Sequence, residues 1–229
     1  MNRIAHIVHF LFRMSNIISG NQLSASHNLG TMQTISLFDL YGRRKYLTPS
    51  ERRAFAITAT KFALPIQTFC HTLTFTGARI SEALALTPER LDGENEFVVL
   101  ETLKRRKRGI FRGIPVPDSL LRTIAKMPRV STRSERDPSL NKIWSWGRTT
   151  AWKYVKEVLI ASGVSPRLAT PKAIRHAFAI DALQCGMPLN LVQRWMGHAR
   201  IETTAIYADA VGSEERNIAQ RMWTGFPAL

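Results

Sequence analysis

Residues 170–186 read TPKAIRHAFAIDALQCG, and the two ends of this stretch decide its conformation. Thr170 is a good N-cap, Pro171 suits the first helical position, and Gly186 lies just past the last apolar residue. The stretch is predicted to be a helix. On it Lys172 and Arg175 stand three residues apart, so they share a face and one turn presents two cations to a single target. Arg175 is followed by the apolar Phe178 and Ile180, which sets it where a polar rim meets a core-facing stripe. An arginine there is either a salt-bridge partner or a clamp for an oxyanion.

Downstream, PLNLVQRWM reads as a second short helix closed by Gly197, followed by a third in IETTAIYADA. Upstream, Thr48, Pro49 and Glu51 form a capping box that starts a helix in LTPSERRAFAITATKF. LPIQTFCHTLTFTGARISEALAL continues helically, with Gly77 ending one segment and Arg79 at the junction. From Glu96 the pattern changes to two β-prone runs separated by a basic segment with Gly109, a hairpin whose tip carries Lys104, Arg105, Arg106, Lys107 and Arg108. PDSLLRTIAKM reads as a helix, PRVSTRSERDPSL as a polar loop, and IWSWGRTTAWKYVKEVLIASGV as a helix stopping at Gly163. No repeat or strong linker interrupts this. The expectation is one domain over residues 47–229, mainly α with a small antiparallel β-sheet (α+β).

The chain carries 32 Lys and Arg against 17 Asp and Glu, a net charge of +15, so its field concentrates polyanions. Nucleic acid is the leading expected partner. A basic membrane-surface protein would concentrate its lysines on one amphipathic helix, whereas here basic residues are spread along the chain. The apolar run near the N-terminus is too short to span a bilayer, and no membrane partner is expected. Residues 1–46 read as an N-terminal extension. The first 31 are either a poorly ordered extension or an over-long gene start, because a more coherent sequence begins at Met32. Cys70 and Cys185 lie far apart and show no CxxC spacing, which fits a reducing cytoplasm. Six histidines show no zinc-ligand spacing, so neither metal nor cofactor is expected.

Taken singly, the candidate residues read blandly. Arg79 suits a helix-end ion pair, His198 after Gly197 suits a cap, and Tyr207 suits a packing aromatic with its hydroxyl at the surface. Their order and spacing say more: TGARISEALAL (76–86), a basic hairpin, KAIRHAF (172–178), MGHA (196–199) and Tyr207. Over roughly residues 47–212 this set resembles the tyrosine recombinase (phage integrase) family.

The resemblance implies a role for each residue. Arg79 and Arg175 match the two catalytic arginines, whose forked donors suit the non-bridging oxygens of a phosphodiester and its pentacoordinate transition state. Tyr207 matches the nucleophile, forming a 3′-phosphotyrosine link and releasing a 5′-hydroxyl. A hairpin lysine protonates that leaving oxygen; Lys104 is preferred, with Lys107 the alternative. His198 matches the position that hydrogen-bonds the phosphate. Lys172 stands where the family commonly has histidine, keeping a donor and positive charge but making a poorer base at neutral pH. Glu82 is expected to support the site through an arginine or neighbouring backbone, and His176 to make a structural hydrogen bond.

Most members also carry an N-terminal core-binding domain that clamps the other face of DNA, which residues 1–46 are too few to form. The chain therefore resembles the catalytic-domain-only type, such as the fimbrial-switch inversion recombinases, with weak or partner-dependent site recognition expected. The implied activity is site-specific recombination (integration, excision, inversion or resolution) by a DNA-bound homo-tetramer at the bacterial nucleoid, with an accessory protein as a further candidate partner. The tail from Gly212 is expected to dock on a neighbouring protomer or on its own domain. A DNA-binding accessory member without efficient chemistry and a type IB topoisomerase-like enzyme are the competing expectations.

Overall fold

The computed structural model describes residues 36–103, 109–127, 141–208 and Gln220. The residues 1–35, both hairpin lysines and the tail from Gly212, apart from Gln220, lie outside these. Eight helices and one sheet are seen among the described residues: α1 (Pro49–Ala59), α2 (Leu64–Thr76), α3 (Ile80–Leu84), β1 (Leu91–Asp92), β2 (Phe97–Glu101), β3 (Phe111–Pro115), α4 (Asp118–Ala125), α5 (Arg148–Ala161), α6 (Pro171–Gln184), α7 (Leu189–Met196) and α8 (Glu202–Ala205). A single 3-10 turn, Pro88–Arg90, precedes β1. The fold is mainly helical with a small antiparallel sheet, as the sequence implies.

Local signals fix most helix ends. Thr48 accepts from the Glu51 amide while the Glu51 carboxylate accepts from the Thr48 amide, completing the capping box of α1. Thr170 accepts from Ala173 N at the start of α6, satisfying one of the amides a helix start leaves unpaired. Gly77 and Gly197 close α2 and α7 in the left-handed conformation. One element departs from expectation: residues 143–147 are not helical, and the helix begins only at Arg148. Trp144 is instead buried edge-on against Phe69, with Trp146 on the same ring, and its indole N–H donates to Pro65 O. Tertiary packing of the aromatic pair overrides the local helical pattern.

Helix α2 runs through the interior. Its buried threonines Thr68, Thr72, Thr74 and Thr76 each donate to the carbonyl four residues back, so their hydroxyls enter the core already satisfied. The main core joins α2 to Phe55, Leu86, Val98, Leu100, Ile114, Leu159 and Ile174. A second cluster gathers Leu37, Phe178, Ile180, Val192, Met196 and Tyr207. Leu37 brings the stretch ahead of α1 into this cluster, and Arg44 forks onto both carboxylate oxygens of Glu51.

The sheet is ordered β1-β2-β3, all antiparallel. Val98 and Leu100 on β2 and Arg112 and Ile114 on β3 are buried while their neighbours are less so, the alternation of a sheet packed on one face. Arg112 pairs with Leu100 and thus occupies an inward position.

Gly77 joins the two clusters. At φ +59 it places its backbone against Phe178, and a Cβ there would lie 2.4 Å from the ring. Gly77→Ala is expected to destabilise the protein by roughly 2–4 kcal/mol, combining left-handed strain with overpacking, as a drop in the urea midpoint will show.

Candidate active site

The site is assembled around Glu82, whose side chain is buried. Arg79 is the residue that caps α3: its backbone N–H donates to Glu82 Oε2 at 3.0 Å and its guanidinium to Oε1 at 2.8 Å. Arg112 donates from β3 to Oε2 at 2.6 Å, and Arg175 stands 3.9 Å from the same oxygen. Burial pushes the Glu82 carboxyl up, but Arg112, Arg79 and Arg175 outweigh it and hold the group below the usual carboxylate range. Glu82 is therefore ionised at neutral pH.

Arg175, on the first turns of α6, is held through both terminal nitrogens. One nitrogen donates to Gly77 O at 2.7 Å; the other donates to Met196 O and reaches His198 Nε2 at 3.2 Å. Burial and the charge of Arg79 push its pKa down to about 9, so it remains a cation at neutral pH. Arg79 is more open, its side chain 28% exposed. Together they offer one fixed and one accessible guanidinium.

His198 follows the Gly197 turn. Since Arg175 only donates, His198 Nε2 accepts and Nδ1 carries the proton, donating to Thr204 Oγ1 at 3.0 Å. Burial, followed by the charges of Arg175, Arg79 and Arg112, pushes the ring down to about 3. Tyr207 stacks on this ring, with 6.2 Å between centroids and 14° between planes.

The hydroxyl of Tyr207 is buried rather than at the surface. It lies 3.0 Å from His176 Nδ1, and the residue is 3% exposed. Burial pushes the phenol up, with Arg175 and Arg79 pulling partly the other way. His176 is pushed down to about 3 by burial and then by Lys172, Arg175 and Lys45. Its Nε2 is buried without a hydrogen-bond partner.

Lys172 is exposed and lines a cleft with Asp39, Lys45, Arg167, Leu168 and Thr170. Thus Arg79, Arg175, His198 and Tyr207 converge, with Lys172 one turn away on α6, while Lys104 and Lys107 fall outside the described residues. No group of His, Cys, Asp or Glu among the described residues could hold a metal, and no described helix is long and apolar enough to cross a membrane.

Two residues of the network escape sequence reasoning. Arg112 links Glu82 to Thr102 Oγ1 at 2.8 Å and to Trp195 O at 2.7 Å. Its signal in the sequence was a basic residue in phase with Ile114 on an alternating strand. Thr204, which orients His198, carries no local signal.

A mainly helical domain thus gathers two arginines, a histidine and a tyrosine around one buried carboxylate. The chain belongs to the phage integrase family, whose family model matches residues 45–213. Among curated relatives, the tyrosine recombinase XerA of Pyrococcus furiosus is 31% identical over 153 residues, 64% of this chain and 50% of that protein. An Escherichia coli resolvase is 34% identical over 164 residues, 59% of this chain and 63% of that protein. The chain spans about half the length of the first of these relatives. Solved structures share the fold. XerA recombinase aligns with a TM-score of 0.62 at 19% identity, over 80% of this chain and 66% of that one. The catalytic domain of bacteriophage HP1 integrase gives 0.52 at 18%, over 80% and 98%. XerH in a post-cleavage complex with a palindromic difH substrate gives 0.63 at 21%, over 94% and 65%.

The two neutral histidines make stability depend on pH. Both pKa values are depressed in the folded state, so the unfolded chain binds more protons as pH falls below about 6.5, and folding stability is full above that value and lost below it. Urea unfolding between about pH 7 and pH 5, a range above ordinary carboxylate titration, is expected to show this loss, at most about 1.4 kcal/mol per pH unit for each ring. The slope is expected to be shallower in His176→Asn and in His198→Asn.

Proposed function

We propose that the protein is a site-specific DNA recombinase that cuts and rejoins strands through a 3′-phosphotyrosine intermediate. The observation that carries this reading is the convergence of Arg79, Arg175 and His198 beside the Tyr207 ring. A scissile phosphate held by the two guanidiniums would have its non-bridging oxygens neutralised without a metal. Tyr207 Oη gives up its proton to solvent as it attacks phosphorus, the O–P bond to tyrosine forms, and the bond to the 5′ oxygen breaks. The bond energy is retained in the ester, so rejoining needs no nucleotide triphosphate. Lys104 protonates the departing oxygen, and Lys172 adds positive charge beside the phosphate.

In the free protein the Tyr207 hydroxyl rests on His176. Attack therefore requires it to exchange that partner for the phosphate. His198 is similarly poised: its Nε2 accepts from Arg175, and an arriving phosphate, by offsetting the surrounding cations, favours a protonated ring that donates instead. We further propose double-stranded DNA as the substrate, a homo-tetramer as the assembled form and an accessory protein as a further partner. The tyrosine recombinase XerA and the XerH complex with its difH substrate support the recombinase reading.

Incubation with duplex DNA from the chain's own genetic neighbourhood, without magnesium or ATP, is expected to yield an SDS-resistant, protease-sensitive adduct. Tyr207→Phe is expected to abolish it. An adduct that persists in the variant identifies a different nucleophile, and salt-sensitive binding without an adduct points to an accessory DNA-binding role.

The acid is tested with a substrate whose 5′ bridging oxygen is replaced by sulfur, because a thiolate leaves without protonation. Lys104→Ala is expected to slow cleavage of ordinary DNA by roughly 100-fold or more and to recover on the sulfur substrate. The same pattern in Lys107→Ala assigns the acid to Lys107.

A further inference from the structure

The remaining charged group in the network, Arg112, has no role in the mechanism above. It is 6% exposed, and its three nitrogens diverge onto Glu82 Oε2, Thr102 Oγ1 and Trp195 O. A lysine, with a single nitrogen at its tip, cannot span these three acceptors. Burying a guanidinium is costly unless it is paired. The same interior position could have held an aliphatic residue like the neighbouring Ile114.

What Arg112 changes is the charge available to a ligand. Glu82 carries one negative charge among three guanidiniums, leaving two positive charges uncompensated. Without Arg112 only one would remain. Arg112 also occupies Oε2 at 2.6 Å while Arg175 stays 3.9 Å from it. Without Arg112, Oε2 would keep only the Arg79 N–H and would draw Arg175, 3.9 Å away, toward an ion pair and away from His198. The carbonyls of Trp195 and Met196, consecutive at the end of α7, take Arg112 and Arg175 respectively, so both guanidiniums are indexed to one helix terminus whose partial negative charge favours them.

We propose that Arg112 is a positioning residue for phosphate chemistry: by adding a cation against Glu82 it keeps two net positive charges on the cluster of Arg79, Arg112, Arg175 and Glu82 for the phosphate, without touching the phosphate itself. This rests on the reading that Arg79 and Arg175 bind a scissile phosphate.

The test compares two substrates in the cleavage assay: an ordinary phosphodiester, and a methylphosphonate in which one non-bridging oxygen is a methyl group. The second has one negative charge fewer at the scissile position and depends less on arginine charge. Arg112→Gln keeps a hydrogen-bonding side chain but loses the cation. It is expected to slow phosphodiester cleavage by roughly 100-fold, the scale of losing one preorganised oxyanion donor, and methylphosphonate cleavage by less than about tenfold. Arg112→Lys retains the cation, and its ratio of the two rates is expected to stay within about threefold of wild type even where its unfolding midpoint drops.

Equal losses on both substrates in Arg112→Gln would show a purely structural role and overturn the proposal. Should Arg112→Gln not fold, Arg112→Lys decides alone by its rate on ordinary DNA: because it keeps the cation, a loss below about tenfold supports the proposal, and a loss of about tenfold or more, as the lost three-way hydrogen bonding alone would cause, overturns it. If wild type cleaves neither substrate, the recombinase reading itself fails, and this inference with it.

Discussion

A single buried carboxylate governs this site. Glu82 is held by Arg79 within its own helix start, by Arg112 from the sheet and, at longer range, by Arg175 from α6. An isolated charge at that depth would be prohibitive, and an isolated cluster of three guanidiniums would be equally so. Each makes the other tolerable. Because the cations outnumber the anion, the arrangement is balanced for folding yet keeps a net positive charge. Site and fold are thus solutions to one problem.

The backbone is arranged to serve that balance. Gly77 lets α2 end against Phe178 while its carbonyl accepts from Arg175. Gly197 performs the matching task at the end of α7, where a Cβ would meet the Arg112 guanidinium at 3.0 Å and the Thr102 hydroxyl at 3.1 Å. These are close approaches of main chain to an aromatic ring at Gly77 and to a guanidinium at Gly197 that a larger residue would block. The apolar clusters on either side supply the rigidity, so the arginines are held by elements that have independent reasons to stay in place.

The parts legible in the sequence are those set by neighbours a few positions away. The capping box at Thr48 and Glu51, the Thr170–Pro171 helix start and the glycine stops at residues 77 and 197 all depend on contacts within one turn, and the structure shows them. The support expected of Glu82 came from the resemblance, and the structure shows it accepting both the Arg79 backbone N–H and the Arg79 guanidinium three residues away. Arg112 was not legible, since its meaning comes from a carboxylate 30 positions distant and a strand register that composition does not encode. Residues 143–147 failed for a related reason: a short apolar run has helical spacing by accident, and the Phe69 ring that claims Trp144 is remote in sequence. The orientation of the Tyr207 hydroxyl also follows from a distant partner, the His176 imidazole on another helix.

The tie between His198 and Thr204 sets a geometric limit on the tyrosine. Thr204 is fully buried and hydrogen-bonded to the imidazole, and Tyr207 follows three residues later, beyond the one-turn helix α8. Three residues extend at most about 10 Å. While that bond holds, Tyr207 therefore moves on a short leash: α8 can unwind locally and re-aim the phenol, but its Cα stays within about 10 Å of an atom fixed to the arginine platform. The search volume of the phenol is bounded by chain length, independently of any force that draws it toward a ligand.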